Sequence, residues 1–112
     1  MKLQQARKFS LSLPETNEEL HFEYTSFRVC GKIFATAPPG GIHLHVFVDE
    51  AERAPLIAAH PDIYEPLYWG KKVSGVRVML VRADSAAVNT LLKQAWLRKA
   101  PKRLAAEWLG NK

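Results

Sequence analysis

Residues 68–82 read Tyr-Trp-Gly-Lys-Lys-Val-Ser-Gly-Val-Arg-Val-Met-Leu-Val-Arg. Lys71 and Lys72 sit on a turn, and Val76, Val78 and Leu80 then recur at every second position. That spacing places the three on one face of a strand. Just upstream, residues 63–69 predict an irregular strand, because Pro66 has no N–H for a ladder and confines its strand to an edge or a bulge. Just downstream, Asp84 or Ser85 caps a helix whose Val88, Leu91, Leu92, Ala95 and Trp96 form one apolar stripe. Pro101 breaks that helix, and residues 102–109 form a shorter one that packs Leu104, Ala105 and Trp108.

Further out, residues 2–13 predict an amphipathic helix through Leu3, Ala6, Phe9 and Leu13, stopped by Pro14. Leu20, Phe22 and Tyr24 alternate with Glu19, His21 and Glu23, the pattern of a half-buried strand. Phe27 and Val29 lead into a tight turn at Cys30-Gly31, and Ile33 and Ala35 lead away from it. Gly31 supplies the positive φ that a short hairpin demands. After the Pro38-Pro39-Gly40-Gly41 turn, a strand points Ile42, Leu44, Val46 and Val48 inward and His43, His45 and Phe47 outward. Asp49 and Glu52 resemble a capping box for a helix reaching His60. Pro55 within it predicts a kink there, or a helix that starts in earnest at Ala54. The order α-β-β-β-β-α-β-β-α-α predicts an α+β fold, an antiparallel sheet covered on one face by helices.

At 112 residues the chain fits one domain, residues 1–112, with one core. A hydrophobic content of 47% and a charged content of 24% are those of an ordinary folded protein, not of a disordered one. No apolar run approaches the roughly 18 residues of a membrane span. The N-terminus lacks the apolar stretch of a signal peptide, so the cytoplasm is the expected location. The single cysteine, Cys30, excludes an intrachain disulfide and a cysteine-based zinc site.

Enzyme chemistry finds little support. His43 and His45, with His21, fall short of the donor set that zinc or iron usually requires. Cys30 has no sequence signature pairing it with a base. Glu15, Glu18, Glu19 and Glu23 read as a solvated loop and strand edge, and no phosphate-cradling glycine loop precedes a helix. No catalytic residue, cofactor or metal is expected.

The formal charge of +5 is unevenly spread. Lys93, Arg98, Lys99, Lys102, Arg103 and Lys112 in the last twenty residues are opposed only by Glu107. Lys71 and Lys72 on the hairpin turn protrude like a wing, with Tyr68 and Trp69 at its base. Lys99, Lys102 and Arg103 straddle the helix break, where backbone N–H groups opening the next helix also suit a phosphate. Lys71, Lys72, Lys99, Lys102 and Arg103 are therefore the candidate phosphate contacts to a polyanion such as a nucleic acid. A solvated surface accounts for the same lysines equally well. Trp69 and Trp96 are expected in the core. The alternative function is a protein-interaction or small-ligand module that uses His43, His45 and Phe47 on the open sheet face. A monomer is expected.

Five short motifs occur in order along the chain: Leu-Ser-Leu-Pro-Glu-Thr at 11–16, Ser-Phe-Arg-Val-Cys-Gly-Lys-Ile-Phe-Ala at 26–35, Ala-Ala-His-Pro at 58–61, Tyr-Trp-Gly-Lys-Lys at 68–72 and Ala-Pro-Lys-Arg-Leu-Ala at 100–105. Together they resemble the MmcQ/YjbR family. The resemblance implies a CyaY-like (frataxin-like) α/β sandwich of double-wing architecture, associated with DNA binding, in a small bacterial cytoplasmic protein without catalytic residues. Phe27, Val29, Gly31, Lys32 and Phe34 match a motif that looks structural. Trp69, Gly70 and Lys71 match the turn into the last strand, and Pro101, Lys102 and Arg103 match the terminal helix break. The chain departs from the family at Val73-Ser74-Gly75, where members often carry Gly-Trp. It departs again at Trp96, where a tyrosine is common.

Overall fold

The computed structural model describes residues 1–110, so Lys112 lies outside the described residues. Helix α1 (Leu3–Ser12) is followed by strands β1 (Thr16–His21), β2 (Tyr24–Val29), β3 (Lys32–Ala37) and β4 (His43–Val46). Helix α2 (Glu50–Ala59) leads to β5 (Tyr64–Trp69) and β6 (Lys72–Met79), and α3 (Ser85–Lys99) and α4 (Lys102–Gly110) complete the order. The fold is α+β, with all six strands in one antiparallel sheet ordered β1-β2-β3-β4-β6-β5.

The core forms where alternating strand residues meet the stripes of α1 and α3. Phe27, Val29, Leu44, Val46, Val76 and Val78 are buried beneath Ala6, Val88, Leu91, Leu92, Ala95 and Trp96. Asp84 caps α3 as its spacing predicts, accepting a hydrogen bond from the Ala87 N–H at 3.0 Å. Trp96 is fully enclosed, and its indole N–H donates to the Pro14 carbonyl at 3.0 Å. This bond satisfies the one polar atom of the largest core side chain and ties the end of α1 to α3. Beyond the break at Pro101, α4 packs back through Leu104 and through Trp108, whose ring centroid lies 5.4 Å from that of Trp96.

Several local expectations are corrected. Leu20, Phe22 and Tyr24 do not lie on one strand. Phe22 and Glu23 form the β1–β2 turn, with Phe22 at φ 59° and 91% exposed. The short period-two signal ran across a hairpin. In β3 the residues from Phe34 to Ala37 are all buried, while Ile33 is only half-buried, because a bulge opposite Phe27 and Arg28 shifts the register. A bulge puts consecutive residues on the same side, which simple alternation does not anticipate. Ile42 precedes β4 and is exposed.

Helix α2 runs unbroken from Glu50 to Ala59 with Pro55 inside it. The residue whose carbonyl loses its partner, Ala51, lies in the first turn and is exposed, so the loss falls where the backbone is open to solvent. Asp49 occupies the N-cap position but makes no side-chain cap bond, its carboxylate being turned towards Arg98 at 3.0 Å.

The turn at Cys30-Gly31 has both residues at positive φ, 50° and 83°, as a two-residue hairpin of matching twist requires. Gly75 answers a different need. It lies beside the β4–β6 pairing, where a Cβ would stand 2.2 Å from the Val46 carbonyl oxygen. Gly→Ala normally stabilises by about 0.4–1 kcal/mol through the unfolded chain. Here the backbone contact reverses the sign. Gly75→Ala is expected to lower stability by about 1–3 kcal/mol, read as a reduced urea midpoint at unchanged m-value.

Candidate nucleic-acid interface

The β5–β6 hairpin extends past the end of its neighbour. Val46, the last residue of β4, pairs with Val76, leaving Lys72–Gly75 and the turn beyond the β4 ladder. At about 3.3 Å per residue that overhang is roughly 10–13 Å. A second bulge, at Leu67 and Tyr68, lies within it and leaves Ser74 unpaired across the strands. Gly70, at φ 63°, closes the turn.

The chain leaving β4 through Phe47–Asp49 and the C-terminal end of α3 form the opposite wall. Between the walls lies a groove of about 450 Å³ lined by Phe47, Arg53, Trp69, Lys72, Arg98 and Lys99 among others. Its polar rim also carries Asp49 and Glu50. Arg98 and Lys99 fall in the last turn of α3, where cations complement the negative end of the helix dipole. Arg98 bridges to Asp49 and donates to the Phe47 carbonyl at 3.4 Å, and Arg53 donates to the Val48 carbonyl at 2.9 Å. These bonds fix the wall that faces the hairpin.

The predicted contacts divide. Lys72 and Lys99, twenty-seven positions apart in sequence, line one groove. Lys71 is exposed on the adjoining turn. Lys102 and Arg103 are exposed on the first turn of α4 and do not line the groove. Arg103 is engaged with Glu107 at 3.3 Å. Among the described residues, Lys71, Lys72, Lys99 and Lys102 have no carboxylate within 4.0 Å.

Trp69 corrects an expectation. It is 81% exposed, the reverse of a core residue, and Tyr68 beside it is exposed too. Both stand at the end of an edge strand, on the part of the hairpin that overhangs β4. Two groove residues, Arg53 and Arg98, escaped sequence reading as site members. Arg98 was visible as a helix-end cation, whereas nothing in the pattern of α2 marks Arg53.

The residues match known proteins at two levels. The sequence profile of the YjbR family matches residues 11–98. The chain belongs to the YjbR family. The match covers the sheet, the hairpin with its overhang and α3 as far as Arg98, one residue short of Lys99. A crystal structure of Deinococcus radiodurans protein DR2400, a DUF419 domain, superposes with a TM-score of 0.78 over 96% of this chain and 87% of the other, at 23% identity. That likeness establishes a shared fold. No curated protein matches the sequence significantly.

The sheet face away from the helices carries a polar row that crosses every strand. Glu19 pairs with Ser26, Ser26 with Thr36, Thr36 with His45, His45 with Arg77, and Arg77 with Glu65. Arg77 reaches Glu65 at 3.3 Å and His43 Nδ1 at 3.2 Å, and the Tyr24 ring lies 6.0 Å from that of His45. His43 and His45 are thus knitted into the row, and Phe47 belongs to the groove. Among the described residues, no three His, Cys, Asp or Glu side chains are grouped to hold a metal.

Burial lowers the pKa of His45 to about 4, aided by the positive charge of Arg77 and by His43 and opposed by Glu65. Its Nε2 is enclosed with no hydrogen-bond partner among the described residues. Between about pH 4 and the ordinary value near 6.5, the unfolded chain binds the His45 proton and the native protein does not. Stability therefore rises with pH across that window and is lost as pH falls through it. Urea midpoints measured from pH 7 to pH 4 are expected to fall, and His45→Gln is expected to flatten that part of the profile.

Proposed function

We propose that this YjbR-family protein is a non-enzymatic DNA-binding protein that holds the phosphate backbone along the overhanging hairpin and the end of α3. The observation that carries the reading is the convergence of Lys72 and Lys99 on one groove. Neither has a carboxylate partner within 4.0 Å among the described residues. Lysines kept only for solubility have no reason to converge from separate elements. Lysines that share a polyanion do, because each phosphate neutralised releases counterions and adds to binding.

Lys71 at the hairpin tip extends the same edge, and Lys102 and Arg103 supply positive charge beyond the helix break. Of the last two, Lys102 is the stronger contact, since Arg103 must first give up Glu107. All five act on phosphates, which position a protein on nucleic acid and carry no base sequence. The reading therefore implies binding with little sequence preference, strongly weakened by salt.

A titration of labelled DNA duplex at several salt concentrations tests this. Binding at low salt with a negative slope of log K against log salt is expected. Lys72→Ala and Lys99→Ala are each expected to reduce that slope by about 0.9. A duplex that fails to bind at low salt, or that binds independently of salt, overturns the proposal.

A further inference from the structure

Phosphate contacts account for the lysines of the groove but not for its aromatic residue. Trp69 shares the groove with Lys72 and Lys99, yet it is 81% exposed. A tryptophan contributes most when its large surface is buried, so one left open forgoes that stabilisation. The overhang of the edge strand beyond β4 leaves the ring without a covering element, so its whole face is open to a ligand. Tyr64, at the other end of the same strand, is buried. Trp69 is instead placed beside cations, with Tyr68 exposed next to it.

The charge of the groove is suited to an anion. Arg53, Lys72, Arg98 and Lys99 set four positive charges against the carboxylates of Asp49 and Glu50, a balance of +2. Asp49 is already neutralised by Arg98 at 3.0 Å, which leaves Arg53, Lys72 and Lys99 set against Glu50. The ligand this combination fits has a flat apolar surface flanked by phosphates. The base pairs of a duplex present their edges in the grooves and hide their faces by stacking, so a duplex offers phosphate to the lysines and nothing to the indole. An unpaired strand offers both. Base-on-aromatic stacking tolerates any sequence, because every base has a π-face. The volume of about 450 Å³ lies in the range that accommodates a molecule of nucleotide size.

We infer that the groove binds single-stranded nucleic acid, with one unpaired base stacked on Trp69 and its flanking phosphates held by Lys72 and Lys99. This rests on the nucleic-acid reading above and names the form of strand that the groove selects. Phe47, on the opposite wall, supplies an apolar surface beneath the stacked base.

The test compares a short mixed-sequence single strand with its own duplex, at one low salt concentration, by anisotropy and by tryptophan fluorescence. Of the three tryptophans, Trp96 is buried and Trp108 half-buried, so quenching by a bound base reports chiefly on Trp69. The single strand is expected to bind more tightly than the duplex and to quench the fluorescence. Trp69→Ala is expected to remove the quenching and to weaken single-strand binding roughly 5- to 150-fold, with duplex affinity unchanged. Trp69→Phe, which keeps an aromatic face, is expected to restore much of the affinity. An unchanged thermal melt for Trp69→Ala guards against a general loss of structure.

If duplex binds and the single strand binds no better, or if Trp69→Ala leaves both affinities alone or weakens both equally, the stacking inference is overturned and the phosphate reading stands. If neither form binds at low salt, both fall together. Poly-glutamate serves as the competitor. Its displacement of the strand at equal charge concentration, with the same dependence on Trp69, would assign the groove to an acidic protein instead.

Discussion

The antiparallel pairing of β4 with β6 is the constraint on which the remaining structure depends. These strands are separated in sequence by α2 and β5, so their ladder is the long-range closure that joins the first four strands to the final hairpin. The ladder also fixes how far that hairpin overhangs. Because pairing begins at Val46 and Val76, Lys72 and Trp69 must stand clear of β4. Shifting the register by one residue would turn Val76 and Val78 out of the core, at a cost far exceeding any gain at the tip. Gly75 marks the junction, since only a residue without a Cβ clears the Val46 carbonyl oxygen there. The geometry of the groove is thus set by packing in the core.

The two faces of the sheet solve opposite problems. Beneath α1 and α3 the strands contribute Val, Leu and Phe, and the one polar atom of Trp96 is satisfied by Pro14. On the uncovered face the cross-strand neighbours from Glu19 to Glu65 are polar or charged at every strand. Opposite charges directly across a sheet stabilise it, as Arg77 and Glu65 do. His45 lies at the centre of the row and remains neutral because burial and Arg77 both disfavour its charge. A polar row of this kind keeps a one-sided sheet from presenting an apolar surface to other chains.

Much of this was legible in the sequence where one physical signal acted alone. The stripe of α3, the alternation of Val76 and Val78, the positive-φ turn at Gly31 and the edge position of Pro66 each follow from local rules, and the element order follows from their sum. Reading failed where two signals overlapped or where a long-range contact decided the outcome. Leu20, Phe22 and Tyr24 alternate whether or not a turn intervenes, and the positive φ of Phe22 is unusual for an aromatic residue. Phe34 is buried through a bulge that only the pairing with β2 reveals. Asp49 carries the signature of a cap, but Arg98, forty-nine residues later, claims its carboxylate.

Trp69 is the most instructive of these cases, because composition argued firmly for burial. A tryptophan is interior by default, and Trp96 obeys that default. The difference lies in where each residue stands relative to covering elements: Trp96 ends the buried stripe of α3, where Pro14 and Trp108 meet it, whereas Trp69 ends an edge strand beyond the reach of β4. The same overhang that denies Trp69 a place in the core brings Lys72 opposite Lys99. Exposure of the ring and convergence of the cations therefore have one structural cause, the unequal lengths of β4 and β6. In this chain Trp69 alone supplies the indole on that hairpin, so whatever the groove recognises through an indole face it recognises there.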